Sequence, residues 1–262
     1  MLYDPNEMKT SQQQLRLIFK SLREPVCLLG GWAVYHIVNE NFEKANGRPY
    51  IGSRDIDIGF HIDKDWTEKQ LIESDFVSAV STIEKLGFSS VSFRLVKNFD
   101  MDTGKELSHE EATKLPLYQI FQLFIDPVVD HIHPEIKDVL GFVPIDEPFL
   151  SFLFQNRMCT AATIFGRKAV LPTPELLLAM KLNSAPRRDK ENKRIKDIAD
   201  IYALTWHSST SLPSLKNQLS SIEPRERTRK TVRTFTEEDL DKVSRAIGVP
   251  AKEITRVLAE LE

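Results

Sequence analysis

The chain has 262 residues, 41% hydrophobic and 28% charged, with a formal net charge of -3. That length buries a real core as one large domain or two modest ones, and the charge balance excludes a polyanion binder working by overall charge. The two cysteines, Cys27 and Cys159, show no metal-type spacing and no disulfide framework, which fits a reducing, cytoplasmic setting. The first residues lack the basic start and apolar run of a signal peptide. No apolar run is long enough to span a bilayer, so no membrane partner is expected.

Leu15, Ile18, Phe19 and Leu22 recur at helical spacing and predict an amphipathic helix over 11–22. Pro25 separates it from a short buried strand, Val26 to Leu29, followed by Gly30-Gly31 and a second amphipathic helix. A glycine pair between strand and helix lets the backbone approach a ligand closely. The helix start adds amide donors and a positive dipole end, an arrangement suited to phosphate. The polar stretch 39–51 reads as an inserted loop. In Gly52 to Phe60, Asp55 and Asp57 alternate with Ile56 and Ile58, so a strand there puts both carboxylates on one face and the isoleucines in the core. Two anions so placed are tolerated in open water, as on an edge strand with one polar face, or with a divalent cation held between them by oxygen ligands.

A helix follows over 68–86, ended by Gly87, and then a strand from Ser90 to Val96. The polar region 98–116 holds a turn at Asp102 to Lys105. Tyr118 to Ile132 is the most apolar stretch and reads as a central strand in which Pro127, unable to donate to a ladder, requires a bulge, an edge or a break. His61, His131 and His133 match no zinc spacing; the latter two read as facing solvent or substrate. Residues 162–171 read as a hairpin around Gly166. Thr173 and Pro174 then start a helix carrying Lys181, and a further helix over 189–204 carries Lys196, Asp197 and Asp200. The basic segment 224–233 reads as a linker or exposed arm able to contact phosphates. Beyond it, a Thr236-capped helix, a turn at Gly248 to Pro250 and a last helix form a hairpin. It is read as a packing or dimerisation element ahead of a DNA-reading helix-turn-helix.

The succession Leu29-Gly30-Gly31, a spacer, and Asp55-Ile56-Asp57-Ile58 resembles the signature of the polymerase-beta-like nucleotidyltransferase superfamily, with a longer spacer than in its small members. Lys181, followed by Lys196-Asp197 and Asp200, resembles the AbiEii-type branch, which includes toxins of bacterial and archaeal toxin-antitoxin pairs. The resemblance spans roughly residues 20–205. It implies an α+β fold: a small mixed or antiparallel sheet flanked by helices, then a helical C-terminal region. The implied divisions are a catalytic domain over 1–170, a helical region completing the active site over 171–223, and a basic linker with a helical hairpin over 224–262.

The resemblance further implies that Asp55, Asp57 and a third carboxylate hold Mg²⁺ or Mn²⁺. Asp130, within Val128-Val129-Asp130-His131-Ile132, fits the family's third element, with Asp126 as the alternative if the strand runs through the proline. Gly30, Gly31, Ser53, Arg54 and Lys181 would bind the phosphates of a nucleoside triphosphate such as ATP, and Asp197 would orient Lys181 or the acceptor. Nucleoside monophosphate would pass to an acceptor hydroxyl and pyrophosphate would leave. RNA, such as a tRNA 3′ end, or a protein side chain is the implied acceptor, with a cognate antitoxin as the implied partner. The rival readings are a small-molecule nucleotidyltransferase of antibiotic type, a catalytically idle fold serving as a binding module, and a DNA-binding regulator built on the C-terminal hairpin.

Overall fold

Asp4 begins the first helix. Its carboxylate accepts from the Asn6 amide at 2.7 Å while Glu7 reaches back to the Asp4 amide, a reciprocal cap that satisfies two otherwise orphaned donors. In the computed structural model, which describes residues 2–262, this helix is α1 (Pro5–Ser21), followed by β1 (Val26–Leu28), α2 (Gly30–Asn46) and β2 (Ile56–Phe60). Two helices, α3 (Glu68–Ile72) and α4 (Asp75–Lys85), lead to β3 (Ser89–Val91), β4 (Arg94–Asp100), β5 (Glu106–Leu107) and α5 (His109–Lys114). Then come β6 (Ile120–Val129), α6 (Ile136–Leu140), β7 (Ile145–Asp146), α7 (Leu150–Phe154), β8 (Cys159–Ile164) and β9 (Arg167–Pro172). Six helices close the chain: α8 (Pro174–Ser184), α9 (Glu191–His207), α10 (Leu212–Ile222), α11 (Arg225–Val232), α12 (Glu237–Ile247) and α13 (Ala251–Ala259). Two units result, one of 3–29 with 53–171 and one of 30–52 with 172–262.

The first unit carries one mixed sheet in the order β3-β4-β6-β2-β1-β9-β8, with β5 against β4 and β7 against β6. The expected α+β architecture is present: a mixed sheet flanked by helices, with helices at the C-terminal end. β2 lies parallel to β6 and antiparallel to β1. Pro127 neither bulges nor breaks β6. On the edge away from β2, β4 pairs as far as Ile125 and β7 begins at Val128, so the missing donor falls where the strand changes partners. Phe165 and Gly166 both take positive φ, which turns β8 into β9 as a two-residue hairpin. The helix expected over 68–86 is two helices, because Ser74 accepts from the Val77 amide and caps a fresh start.

The second unit is helical. The stretch expected as an inserted loop is largely α2, which continues to Asn46 because Val38 and Phe42, four residues apart, are both buried. Phe42 packs its ring 5.0 Å from both Tyr50 and His207. The basic segment is also ordered as α11. Arg227 meets Glu223 at 3.1 Å and Asn183 at 2.8 Å, Arg229 donates to the Glu262 carbonyl, and Arg233 pairs with the Glu262 carboxylate at 3.0 Å. Those arginines are engaged by their own chain. α12 has the Thr236 cap and the left-handed Gly248 that the sequence signals, and both α12 and α13 pack on α9.

His36, on α2, gives this unit an acid sensitivity. Burial pushes its imidazole down to about 4. An unfolded chain takes up the proton near 6.5 while the folded one refuses it, so stability falls as pH drops from about 6.5 to about 4, by roughly 2–3 kcal/mol. In urea titrations at pH 7 and 4.5, His36→Gln is expected to lose less stability on acidification than the parent protein. An equal loss would remove His36 from the account.

Candidate active site

Ile56 and Ile58 are fully buried, which turns Asp57 onto the opposite face of β2; Asp55 lies in the bend just before the strand. The parallel register aligns Asp57 with Asp126 and Ile58 with Pro127. Asp57 and Asp126 therefore stand on neighbouring strands at the same level. Arg94, at the start of β4, grips Asp126 with both arms of its guanidinium, Nε donating to Oδ1 at 2.8 Å and Nη2 donating to Oδ2. The guanidinium lies over Phe124 at 4.2 Å and Phe93 at 5.1 Å. Burial disfavours its charge, but the attraction of Asp126, then Asp55 and Asp57, outweighs that and raises its pKa. One cation thus feels all three carboxylates.

Arg54 pairs with the buried Glu7 at 2.9 Å and lies over the Phe121 ring. Burial raises the Glu7 carboxyl despite Arg54. Ser53 is buried. Leu29 donates its amide to the Asp57 carbonyl at 2.9 Å, extending the β1–β2 ladder.

Asp130 lies four residues beyond Asp126, at the end of β6. Its Oδ1 accepts from the Ile62 amide at 2.8 Å and its Oδ2 is 2.5 Å from His61 Nδ1. His133, expected to face solvent or substrate, is buried: Nε2 bonds the Trp66 carbonyl and Nδ1 accepts from the Glu135 amide. His131 is exposed.

The helical unit holds Gly30, Gly31, Lys181 and Asp197. Gly30 takes φ +59° at the start of α2, a conformation glycine adopts without penalty, and Gly31 is buried. Lys181 on α8 bonds Asp197 at 2.7 Å and Asp200 at 2.8 Å, both on α9. Asp197 also receives Arg188 at 2.6 Å and Ser184 at 2.9 Å; Asp200 receives Lys196 and, at 2.8 Å, the Tyr50 hydroxyl. Burial opposes ionisation of Asp197, yet Lys181 and Arg188 overcome it and hold the carboxyl at about 2. Burial likewise works against the Lys181 ammonium, and Asp197 with Asp200 raises it regardless. For Lys196 burial prevails over Asp200 and lowers its pKa. This is a closed, buried ion network.

Arg94 and Tyr50 carry no local signature in the sequence; only strand pairing and helix packing bring them to these carboxylates. Carboxylate oxygens are the donors that Mg²⁺ or Mn²⁺ takes, and Asp55, Asp57 and Asp126 supply that chemistry. Among the described residues, however, no three His, Cys, Asp or Glu side chains stand ready-made around a cation position, and Arg94 holds both oxygens of Asp126.

No model of a known protein family matches the chain, and no curated protein matches it. Among solved structures the chain is similar to an antigenic nucleotidyltransferase-like protein from Paracoccidioides brasiliensis, at 18% identity, covering 84% of this chain and 90% of that one, with a TM-score of 0.35. No helix is long and apolar enough to cross a membrane among the described residues.

Proposed function

We propose that the protein is a metal-dependent nucleotidyltransferase whose reaction centre is the carboxylate row Asp55, Asp57 and Asp126. The observation that carries this reading is the register of β2 on β6, which sets Asp57 beside Asp126. In this reading Asp55, Asp57 and Asp126 hold Mg²⁺ or Mn²⁺, with Arg94 yielding Asp126. When bound, the cation supplies Lewis-acid stabilisation of charge on the phosphates. The three carboxylates would fix it, and Asp126 would accept the proton that the acceptor hydroxyl gives up as its oxygen bonds the α-phosphorus and pyrophosphate leaves. A nucleoside triphosphate is the donor, with Ser53 and Arg54 next to Asp55 on the chain. Nucleoside monophosphate goes to an acceptor hydroxyl on RNA or protein. The toxin-antitoxin role rests on the sequence resemblance alone, since several arginines of α11 are engaged within the chain.

A second reading, an idle fold acting as a binding module, is favoured by the grip of Arg94 on Asp126. Incubation with Mg²⁺, each α-labelled nucleoside triphosphate in turn and cell lysate separates the two. A labelled product is expected, and its sensitivity to RNase or protease names the acceptor. Absence of label with every nucleotide would favour the idle fold.

A further inference from the structure

Beyond the carboxylate row, the first unit contains a cavity of about 750 Å³ at the end of the β1–β2 ladder, a size typical of small-molecule sites. Its floor is apolar. Cys27 and Gly59, paired across the ladder, line it with Phe76 and Leu153, and burial pushes the Cys27 thiol up to about 12.

Of its polar lining residues, two bear most on a ligand. The first is His61. Asp130, whose side chain is 3% exposed, can only accept as a carboxylate, so His61 Nδ1 carries the proton and donates it at 2.5 Å. That bond fixes the ring and leaves Nε2, on a side chain 41% exposed, as the nitrogen open to a ligand. The His61 ring sits 5.5 Å from Phe154 and 6.2 Å from Trp66, forming an aromatic wall. The second is Arg157, which takes φ +56°. Non-glycine residues adopt that conformation at a cost and tend to do so at functional positions. Among the described residues no carboxylate pairs with the Arg157 side chain, whereas Arg23 at the same cavity is paired with Asp75.

We propose that this cavity binds a small hydroxylated aryl acid. The planar ring lies against His61, Trp66 and Phe154, the single negative charge meets Arg157, and a ring hydroxyl hydrogen-bonds His61 Nε2. Asp75 and Glu73 at the lining disfavour a polyphosphate, and one unpaired arginine suits one negative charge. The inference does not depend on the transfer reaction.

The test is calorimetric titration of the intact protein with 2-, 3- and 4-hydroxybenzoate, benzoate, phenyl phosphate and benzyl alcohol. Saturable binding of at least one hydroxybenzoate is expected, weakened roughly tenfold or more in Arg157→Gln and retained in Arg157→Lys, because a charge-assisted bond is lost in one and a cation kept in the other. The preference over benzoate should disappear in His61→Ala. Ligand-induced change in tryptophan fluorescence should be absent in Trp66→Phe, which places the ligand in this cavity. Phenyl phosphate binding more tightly than any hydroxybenzoate would make the ligand an aryl phosphate and overturn the aryl-carboxylic assignment. No saturation with any ring acid, or equal affinity in Arg157→Gln, would overturn the proposal altogether.

Discussion

Asp200→Ala is expected to cost about 3–5 kcal/mol of stability, the magnitude for removing one partner of a buried ion pair and a large fraction of a typical domain's total. Asp200 is completely buried and receives Lys181, Lys196 and the Tyr50 hydroxyl. Its removal leaves Lys196 buried without its main counter-charge. Burial already lowers the Lys196 pKa with Asp200 in place, and the variant lowers it further below the unfolded value. The folded variant then binds protons less readily than the unfolded chain, so the loss eases as pH rises above the lowered folded pKa and is relieved by the time pH reaches that of an unfolded lysine. Urea midpoints at pH 7 and pH 10 measure both statements. A change below about 1 kcal/mol at pH 7 would show that the network contributes little.

Asp57→Ala should lower nucleotidyl transfer by about a thousandfold or more, since a carboxylate that fixes the cation acts mainly on charge developed in the transition state. The fold should survive, because Asp57 is on the polar face of β2 and its removal relieves repulsion from Asp55 and Asp126. The same assay decides between the two third-carboxylate candidates. Asp126→Asn is expected to match Asp57→Ala, whereas Asp130→Asn, which disturbs the orientation of His61, should leave most of the transfer rate. The opposite order would move the metal centre to the far end of β6.

Much of the sheet was legible from the chain because alternation and turn chemistry are local. Ile56 and Ile58 announce the buried face of β2, Gly166 the hairpin of β8 and β9, and Thr236 and Gly248 the ends of α12. The extent of α2 was hidden by Asn39, Asn41 and Asn46, polar residues on a helix whose inner face needs only Val38 and Phe42. The break at Ser74 was masked because apolar periodicity continues on either side of a competent cap. What depended on strand pairing could not be read locally. Asp126 and Asp130 are both in reach of a strand pattern, and only the register of β6 on β2 sets the first beside Asp57 and gives the second to His61. Pro127 was ambiguous for the same reason, its tolerance being decided by where β4 ends and β7 begins. Arg94 belongs to a hairpin, and nothing in its neighbours says that β4 will deliver it to Asp126.

The reaction class itself is tested most directly by running matched incubations with α-labelled and γ-labelled nucleoside triphosphate, Mg²⁺ and the labelled acceptor fraction. The account predicts α label on the acceptor and γ label released as pyrophosphate. γ label on the acceptor, or release of inorganic phosphate with no acceptor labelled, would contradict it.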